Sequence, residues 1–167
     1  MKEQINSISN LSIIGLRVQG YVSCPVKQLA GYRLGIRFAY GTCATIILLG
    51  LIFQNIYFYY TGLVLSLGGM FPPRHPVDYL YNGVIRYIFK KPAIPKRPAQ
   101  SRFACSIAFV WIATALLCWH NDYYLISSAM EGALVMQAGI VTFTDICFPS
   151  MIYNFLIKKT NKRIIEQ

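Results

Sequence analysis

The sequence predicts an all-α, polytopic integral membrane protein with four transmembrane helices arranged as two helical hairpins. Of its 167 residues, 55% are hydrophobic and only 13% are charged, and the basic residues are confined to segments outside two long apolar stretches that contain no Lys or Arg. An average soluble domain carries about 25% charged residues. The composition therefore excludes a disordered chain and disfavours a water-soluble globule, and the length fits one domain.

The first hairpin is predicted from an uncharged stretch between Phe38 and Phe71, which is interrupted only at Gln54-Asn55. A single helix of this length would be about 51 Å long, whereas the hydrocarbon core of a bilayer is about 30 Å thick. We therefore expect two spans that turn near Asn55. The second leg, roughly Ile56 to Phe71, is short and ends at Pro72-Pro73, because proline cannot continue a helix.

The second hairpin lies between Phe103 and Cys147 and is broken at residues 119–122, after which Tyr123 and Tyr124 follow. The last helix is expected to start at Tyr123 and to be three turns longer than its counterpart in the first hairpin. Pro149 would clash with the carbonyl of Asp145, so a kink or stop is expected there.

The orientation is predicted from the 16 Lys and Arg residues, none of which falls in a hairpin tip. By the positive-inside rule, both termini and the middle loop are cytoplasmic, in a multi-pass protein of the cytoplasmic (inner) membrane. No cleavable signal is expected. The predicted segments are a cytosolic N-terminal segment (1–36), the first hairpin (37–71), a Pro-rich basic loop (72–101), the second hairpin (102–149) and a cytosolic C-terminal segment (150–167).

The middle loop is expected to carry a cytosolic, interfacial amphipathic helix from Pro76 to Lys91. Its expected apolar stripe is Val77, Leu80, Tyr81, Val84 and Ile88, and its expected polar face is Asp78, Asn82, Arg86 and Lys90. Such a helix is either a platform for lipid or a partner protein, or a connector resting on the membrane, and we favour the connector. The stretch from Lys90 to Arg97 is expected to be extended and solvated.

An internal parallel repeat is a further hypothesis. Arg37-Phe38-Ala39 opens the first hairpin and Arg102-Phe103-Ala104 opens the second, and Phe-Pro follows each hairpin. Short matches within aromatic-rich spans also arise by chance, and the two explanations are about equally weighted.

Three cysteines are expected at the cytosolic face: Cys24, Cys105 and Cys147. Cys24 should lie at the N-terminus of a short helix from Pro25 to Arg33, where helix-end amides favour a thiolate. Asp145 is placed to act as a local base for Cys147 or, alternatively, to raise its pKa by charge repulsion. Cys43 and Cys118 are assigned to packing.

Thiol exchange, persulfide carriage and metal binding are the functional alternatives for these cysteines, since a stable disulfide is disfavoured in the cytosol. His75 would complete a Cys/His set, but no pair has the close spacing of a zinc knuckle. No metal and no cofactor are therefore predicted. The alternative is that the thiols only pack as small apolar groups.

Glu131 is the other candidate site residue, because it falls within the last span, where no Lys or Arg lies at its depth. We expect it to be neutral, or hydrogen-bonded to Thr42, Thr45 or Ser66 on another helix. It either binds a proton or a polar substrate, or joins two helices.

The motifs Cys24-Pro25-Val26, residues 72–76 (PPRHP), residues 102–105 (RFAC) and Cys147-Phe148-Pro149 resemble those of a family of small prokaryotic four-span membrane proteins, the domain of unknown function 4395 type. The resemblance covers about Cys24 to Tyr153 and implies the fold and topology, without an activity. More loosely, the architecture is similar to four-span membrane subunits associated with thiosulfate and quinone oxidation.

The leading functional hypothesis is a sulfur-handling or thiol-redox role, with Cys24, Cys105, Cys147 and Asp145 as catalytic residues and His75 and Glu131 as substrate-binding residues. A soluble sulfur-handling or redox protein is the expected cytosolic partner. The rivals are a dimeric proton-coupled transporter that uses Glu131 and a non-catalytic assembly subunit. Anionic lipid head groups account for the net charge of +10, so the bilayer, and no nucleic acid, is the expected charged partner.

Overall fold

The computed structural model describes residues 10–22, 24–71 and 73–165, with side chains as far as residue 157. The predictions that fall on residues 1–9 and on Pro72 lie outside these ranges. Within them, every regular element is helical. The helices are α1 (Asn10–Val18), α2 (Val26–Phe53), α3 (Ile56–Met70), α4 (Pro76–Leu80), a π-helical turn (Tyr81–Ile85), α5 (Arg86–Ile88), α6 (Ala99–His120), α7 (Tyr124–Thr144) and α8 (Phe148–Ile165).

Three helices, α2, α6 and α7, are long and apolar enough to cross a membrane. The predicted all-helical membrane class is therefore confirmed. α3 has 15 residues and is about 22 Å long, which is shorter than a hydrocarbon core of about 30 Å. The fourth span stays a prediction.

The two turns fall where the sequence predicts them. α2 ends at Phe53, Gln54 adopts a left-handed conformation with φ of 50°, and the Asn55 side chain caps α3 by accepting a hydrogen bond from the Tyr57 amide at 3.0 Å. The second turn joins His120 to Tyr124. We call this side of the bundle the turn end, and the opposite side, where α2 and α6 begin and α7 ends, the basic end.

The bundle is held by packing of α2 against α7, α3 against α6, and α6 against α7. An apolar cluster of Ile47, Tyr59, Ile112 and Leu116 fills the half towards the turn end. A second cluster, with Leu29, Ile36, Tyr81 and Ile94 among its members, lies at the basic end. The space between α2, α6 and α7 separates these two clusters.

Two predicted helix boundaries are wrong. The short helix from Pro25 to Arg33 is the first part of the continuous α2. α7 has 21 residues and α3 has 15, so α7 is less than two turns longer than α3, not three turns longer as predicted. The reason is that α7 ends in a left-handed residue, Asp145, with φ of 64°, so the remaining chain forms a turn. The stop predicted near Pro149 is confirmed, and Pro149 lies in the first turn of α8, where its missing N–H costs little.

The middle loop differs most from expectation. Asp78, expected on the polar face, is fully buried, and Ile94 and Arg97, expected in a solvated stretch, are 1% and 6% exposed. Within the predicted apolar stripe, Val77 and Tyr81 are buried in the protein, whereas Leu80, Val84 and Ile88 are exposed and so stay available for the predicted contact with the membrane surface. The cause is an extended strap from Pro92 to Pro98 that packs on α2 and brings Arg97 to Asp78, whereas the π-helical turn shifts the register only of the residues from Tyr81 onwards.

The repeat hypothesis stays a prediction. Asn55 and Asn121, each near the tip of its hairpin, have different roles in the structure. Asn55 is the N-cap of α3, whereas the Asn121 side chain donates to the Leu117 carbonyl at the end of α6.

Candidate functional site

A cavity of about 320 Å³ lies between α2, α6 and α7 and reaches the basic end. This volume is typical of small-molecule pockets. Most of its lining is apolar, with Ala44, Ile47 and Ala108 as examples. Its ionisable lining residues are Tyr40, Cys43, His75, Arg97, Cys105 and Cys147. The cavity therefore brings together three thiols, those of Cys43, Cys105 and Cys147, and the imidazole of His75 from separate parts of the chain.

His75 is held in one orientation because it is the N-cap of α4. Its Nδ1 accepts a hydrogen bond from the Val77 amide at 3.2 Å, and its own amide donates to Asp78 Oδ2 at 3.0 Å. Since Nδ1 is the acceptor, the proton of the neutral ring lies on Nε2. Nε2 is 3.9 Å from the sulfur of Cys43, so the imidazole N–H is directed to a thiol.

The protonation of His75 is set by its surroundings. Burial lowers the pKa of His75 to about 4, and the positive charge of Arg97 acts in the same direction. The ring is therefore neutral near pH 7. A neutral ring with Nδ1 already occupied can donate a hydrogen bond to a sulfur atom through Nε2, but it has no free lone pair with which to remove a thiol proton.

Cys105 approaches the same imidazole because residue 69 is glycine. A Cβ on Gly69 would overlap His75 Cδ2 and would lie 2.7 Å from Cys105 Sγ, and both contacts are closer than real side chains show. Cys105 therefore lies beside His75 over the bare backbone of α3, and Cys43 contacts Nε2 of the same ring at 3.9 Å. We call Cys43, Cys105 and His75 the thiol–imidazole cluster.

Arg97 closes one side of the cavity. Its side chain is only 2% exposed, and its Nε and Nη2 donate to the two Asp78 oxygens at 2.6 and 2.7 Å. Burial alone would lower the pKa of Arg97, but the hydrogen bonds and charge of Asp78 outweigh it and hold that pKa above its usual range. The guanidinium also lies over the Tyr40 ring, at 5.5 Å from the centroid. The cation is therefore balanced inside the protein.

Asp145, the predicted local base, is engaged elsewhere. It is 1% exposed, and its carboxylate accepts hydrogen bonds from Arg33 Nε at 2.9 Å and from Arg37 Nε at 2.8 Å. Its backbone oxygen accepts from Gln19 Nε2 at 2.8 Å. Asp145 therefore ties α2 and the segment after α1 to the end of α7, and the described partners of its carboxylate are arginines, not Cys147.

The predicted cysteines separate into two groups. Cys105 and Cys147 line the cavity, and Cys147 packs with Ala104, Val141 and Tyr40. Cys24 does not line the cavity. It is half-buried beside the apolar cluster of the basic end and precedes Pro25, the N-cap of α2.

Glu131 lies outside the cavity lining, towards the turn end. It is fully buried, and neither carboxyl oxygen has a hydrogen-bond partner among the residues that the structure describes. The expected bond to Thr42 or Thr45 is wrong, because both hydroxyls donate to carbonyls of their own helix at 2.8 Å. Ser66 is not a partner either.

Two further buried hydroxyls without a partner in the described part of the chain accompany Glu131. They belong to Ser127, one turn earlier on α7, and to Tyr59 of α3, which lies close enough to Glu131 for the two groups to interact electrostatically. Buried polar groups are nearly always hydrogen-bonded, so this polar triad of Tyr59, Ser127 and Glu131 is unusual.

Metal binding finds no support in the described ranges, where no three His, Cys, Asp or Glu side chains are arranged to hold an ion. Reasoning from the sequence missed Cys43, Tyr40, Tyr59 and Arg97 as site residues. One signal was available for Arg97, because Asp78 is the single acidic residue of a basic loop. That composition predicts an ion pair between Asp78 and one of the loop's cations, but it does not predict which cation.

A family model described as "Domain of unknown function (DUF4395)" matches residues 33–158. No curated protein and no solved structure matches the chain. The looser likeness to thiosulfate and quinone oxidation subunits stays a prediction.

Proposed function

The chain belongs to the DUF4395 family, whose description assigns no activity, and from the cavity we propose that it is a membrane protein that carries sulfur on cysteine thiols. The observation that supports this most strongly is the enclosure of Cys43, Cys105, Cys147 and the Nε2–H of His75 in one cavity. An isolated buried cysteine is usually a packing residue. Several thiols around an oriented N–H donor form a chemically competent group.

We place the protein in the cytoplasmic membrane with α3 as a short fourth span and the basic end in the cytosol. Arg33, Arg37 and Arg97 all lie at that end of the bundle. A basic end on the cytosolic side agrees with the positive-inside rule. The cavity then opens at the depth of the inner leaflet.

The proposed reaction is transfer of a sulfane sulfur without net oxidation. A cysteine thiolate attacks the outer sulfur of an organic persulfide, R–S–SH, and forms a new S–S bond. The S–S bond of the donor breaks, and R–SH leaves with the proton that the cysteine gave up. His75 Nε2–H is placed to stabilise the anionic sulfur on Cys43, because hydrogen bonds to an anion are stronger than those to a neutral group.

The test is mass spectrometry of the reconstituted protein after exposure to alkyl and water-soluble sulfane-sulfur donors. We expect sulfur to add to Cys43, Cys105 or Cys147. Cys43→Ser and Cys105→Ser should each reduce the total amount of sulfur added to the protein. Cys118→Ser, on α6 outside the cavity, should leave that amount unchanged. Addition confined to Cys24 and Cys118, or none, would exclude the proposal.

Proton-coupled transport by Glu131 is a second candidate, and the polar triad favours it. Glu131 lies beyond the closed end of the cavity, where Ile47 and Ile112 pack on Tyr59. An ionisable residue inside a membrane is a candidate proton site. Proteoliposomes under an imposed pH gradient should take up protons through the natural protein and not through Glu131→Gln. Equal uptake by both would remove this candidate.

A further inference from the structure

The cavity meets the surface on the side of the bundle. Four of its lining residues are also exposed: Ile107 (42%), Trp111 (40%), Phe148 (49%) and Ile152 (54%). They belong to α6 and to the start of α8, which packs on α6. The Trp111 indole donates a hydrogen bond to the Met130 carbonyl of α7 at 2.8 Å. This contact closes the edge of the opening that lies towards the turn end. We call this opening the lateral mouth.

The lateral mouth is apolar and lies partly on α6, a helix long and apolar enough to cross a membrane. Exposed apolar residues on such a helix face hydrocarbon. A ligand that enters here therefore comes from the lipid phase and not from water.

The polar side of the cavity offers a poor route for hydrophilic ligands. His75 and Arg97 are 4% and 6% exposed. Tyr40 is within hydrogen-bonding distance of Ser101, at 3.2 Å between oxygens. The strap from Pro92 to Pro98 packs on α2 beside them. This polar side is therefore a closed wall.

The charge balance disfavours an anion. Arg97 is neutralised by Asp78 at 2.6 and 2.7 Å, and the His75 ring is neutral near pH 7. A hydrophilic anion would lose its hydration without gaining an unpaired cation. A neutral, polarizable molecule would bury apolar area and still meet the Nε2–H of His75.

Resting on the proposed function, we propose that the sulfur donor is a neutral, lipid-soluble organic polysulfide that enters through the lateral mouth. Its sulfur atoms lie at the thiol–imidazole cluster, and its alkyl chain lies along Ala104, Ala108 and Ile112. With a trisulfide, the cysteine sulfur bonds to the central sulfur and one S–S bond of the donor breaks. One alkyl thiol then leaves with the cysteine's proton, so no oxidant is needed.

The experiment compares dioctyl trisulfide with the charged, water-soluble glutathione trisulfide on the full chain in lipid nanodiscs. Mass spectrometry follows the rate of modification of Cys43, Cys105 and Cys147. We expect dioctyl trisulfide to react at least about tenfold faster, because it partitions to the mouth. Dioctyl sulfide, which lacks an S–S bond, should slow the reaction by competing for the cavity.

Matched variants test the route. Ala108→Phe fills the cavity, whereas Val110→Phe adds similar bulk to an exposed position of α6. Ala108→Phe should lose the fast reaction with dioctyl trisulfide, and Val110→Phe should keep it. If Ala108→Phe fails to fold, Ala133→Phe fills the cavity from α7.

The outcomes separate the two proposals. Equal rates for both donors, with no effect of filling the cavity, would overturn entry from lipid and leave the sulfur chemistry standing. Modification by neither donor would remove the sulfur chemistry and this inference together. Fast, cavity-dependent reaction with dioctyl trisulfide alone supports both.

Discussion

Arg97 and Asp78 form a buried, two-pronged ion pair, with Nε 2.6 Å from Oδ2 and Nη2 2.7 Å from Oδ1. The pair joins the strap to α4. Asp78 also accepts the His75 amide at 3.0 Å, so the same carboxylate orients the imidazole of the thiol–imidazole cluster. The polar wall of the cavity and the position of His75 therefore depend on one ion pair.

Replacing Arg97 by Met should destabilise the protein by about 3–5 kcal/mol, because it leaves the buried Asp78 carboxylate without its cation. The neighbouring Lys96 is exposed, and Lys96→Met should change stability by less than about 0.5 kcal/mol. Thermal unfolding in the same detergent measures both. Similar small effects for the two variants would show that the ion pair does not hold the strap.

Replacing Gly69 by Ala should cost about 1–3 kcal/mol and displace Cys105 and His75, because the added Cβ would lie 2.7 Å from Cys105 Sγ. Gly139→Ala is the matched control, since no atom lies within 4 Å of a Cβ there. That control should be neutral or stabilising by up to about 1 kcal/mol. The reactivity of Cys105 towards a thiol reagent should change only in Gly69→Ala. An unaltered Cys105 in that variant would contradict the close approach.

Acidification should weaken the fold through His75. Its pKa is lowered from 6.5 to about 4, so the unfolded chain binds a proton first as the pH falls. The contribution of neutral His75 to the free energy of unfolding is complete above pH 6.5. It is lost between pH 6.5 and 4, which lowers the free energy of unfolding by up to about 3 kcal/mol.

His75→Asn tests this pH dependence, because asparagine can cap α4 and does not titrate. Unfolding midpoints measured between pH 7.5 and 4 should fall more steeply in the natural protein than in the variant. Parallel curves would mean that His75 is not buried in its neutral form.

The polar triad predicts a substitution that stabilises the protein, whereas the preceding substitutions destabilise it. Tyr59→Phe should raise stability by about 1 kcal/mol, because the Tyr59 hydroxyl is buried without a partner in the described part of the chain. Tyr60→Phe is the control. It removes a hydroxyl that lies 2.7 Å from His120 Nε2, so it should be neutral or slightly destabilising. Thermal unfolding distinguishes them, and a destabilised Tyr59→Phe would indicate that the hydroxyl has a bound partner.

Local sequence signals predicted the helices well and the site less well. The break at Gln54-Asn55 and the start of α3 at Ile56 follow from uncharged length and capping chemistry, which act between neighbours in the chain. The burial of Asp78 does not follow from such local signals, because it depends on Arg97, a cation 19 residues away in sequence. Helical periodicity assumes an unbroken register.

Cys43 shows why the site itself was only partly predictable. In the sequence it lies in an uncharged span, where the expectation of simple packing was reasonable. Its contact with His75 depends on how α4 is placed over α3. Cys24, by contrast, has a favourable local position before α2 but lies outside the cavity. Chain neighbours indicate a thiol's local environment, but only packing brings two thiols together.

The central claim, that Cys43 and Cys105 share one cavity, is tested most directly by cross-linking in a variant that keeps only these two cysteines. A bifunctional thiol reagent with a span of about 10 Å should join them in high yield, as measured by intact mass, since both flank His75. The matched variant keeps only Cys24 and Cys43, which α2 separates by about 25 Å, and should not cross-link. Equal yields, or no link between Cys43 and Cys105, would contradict the cavity.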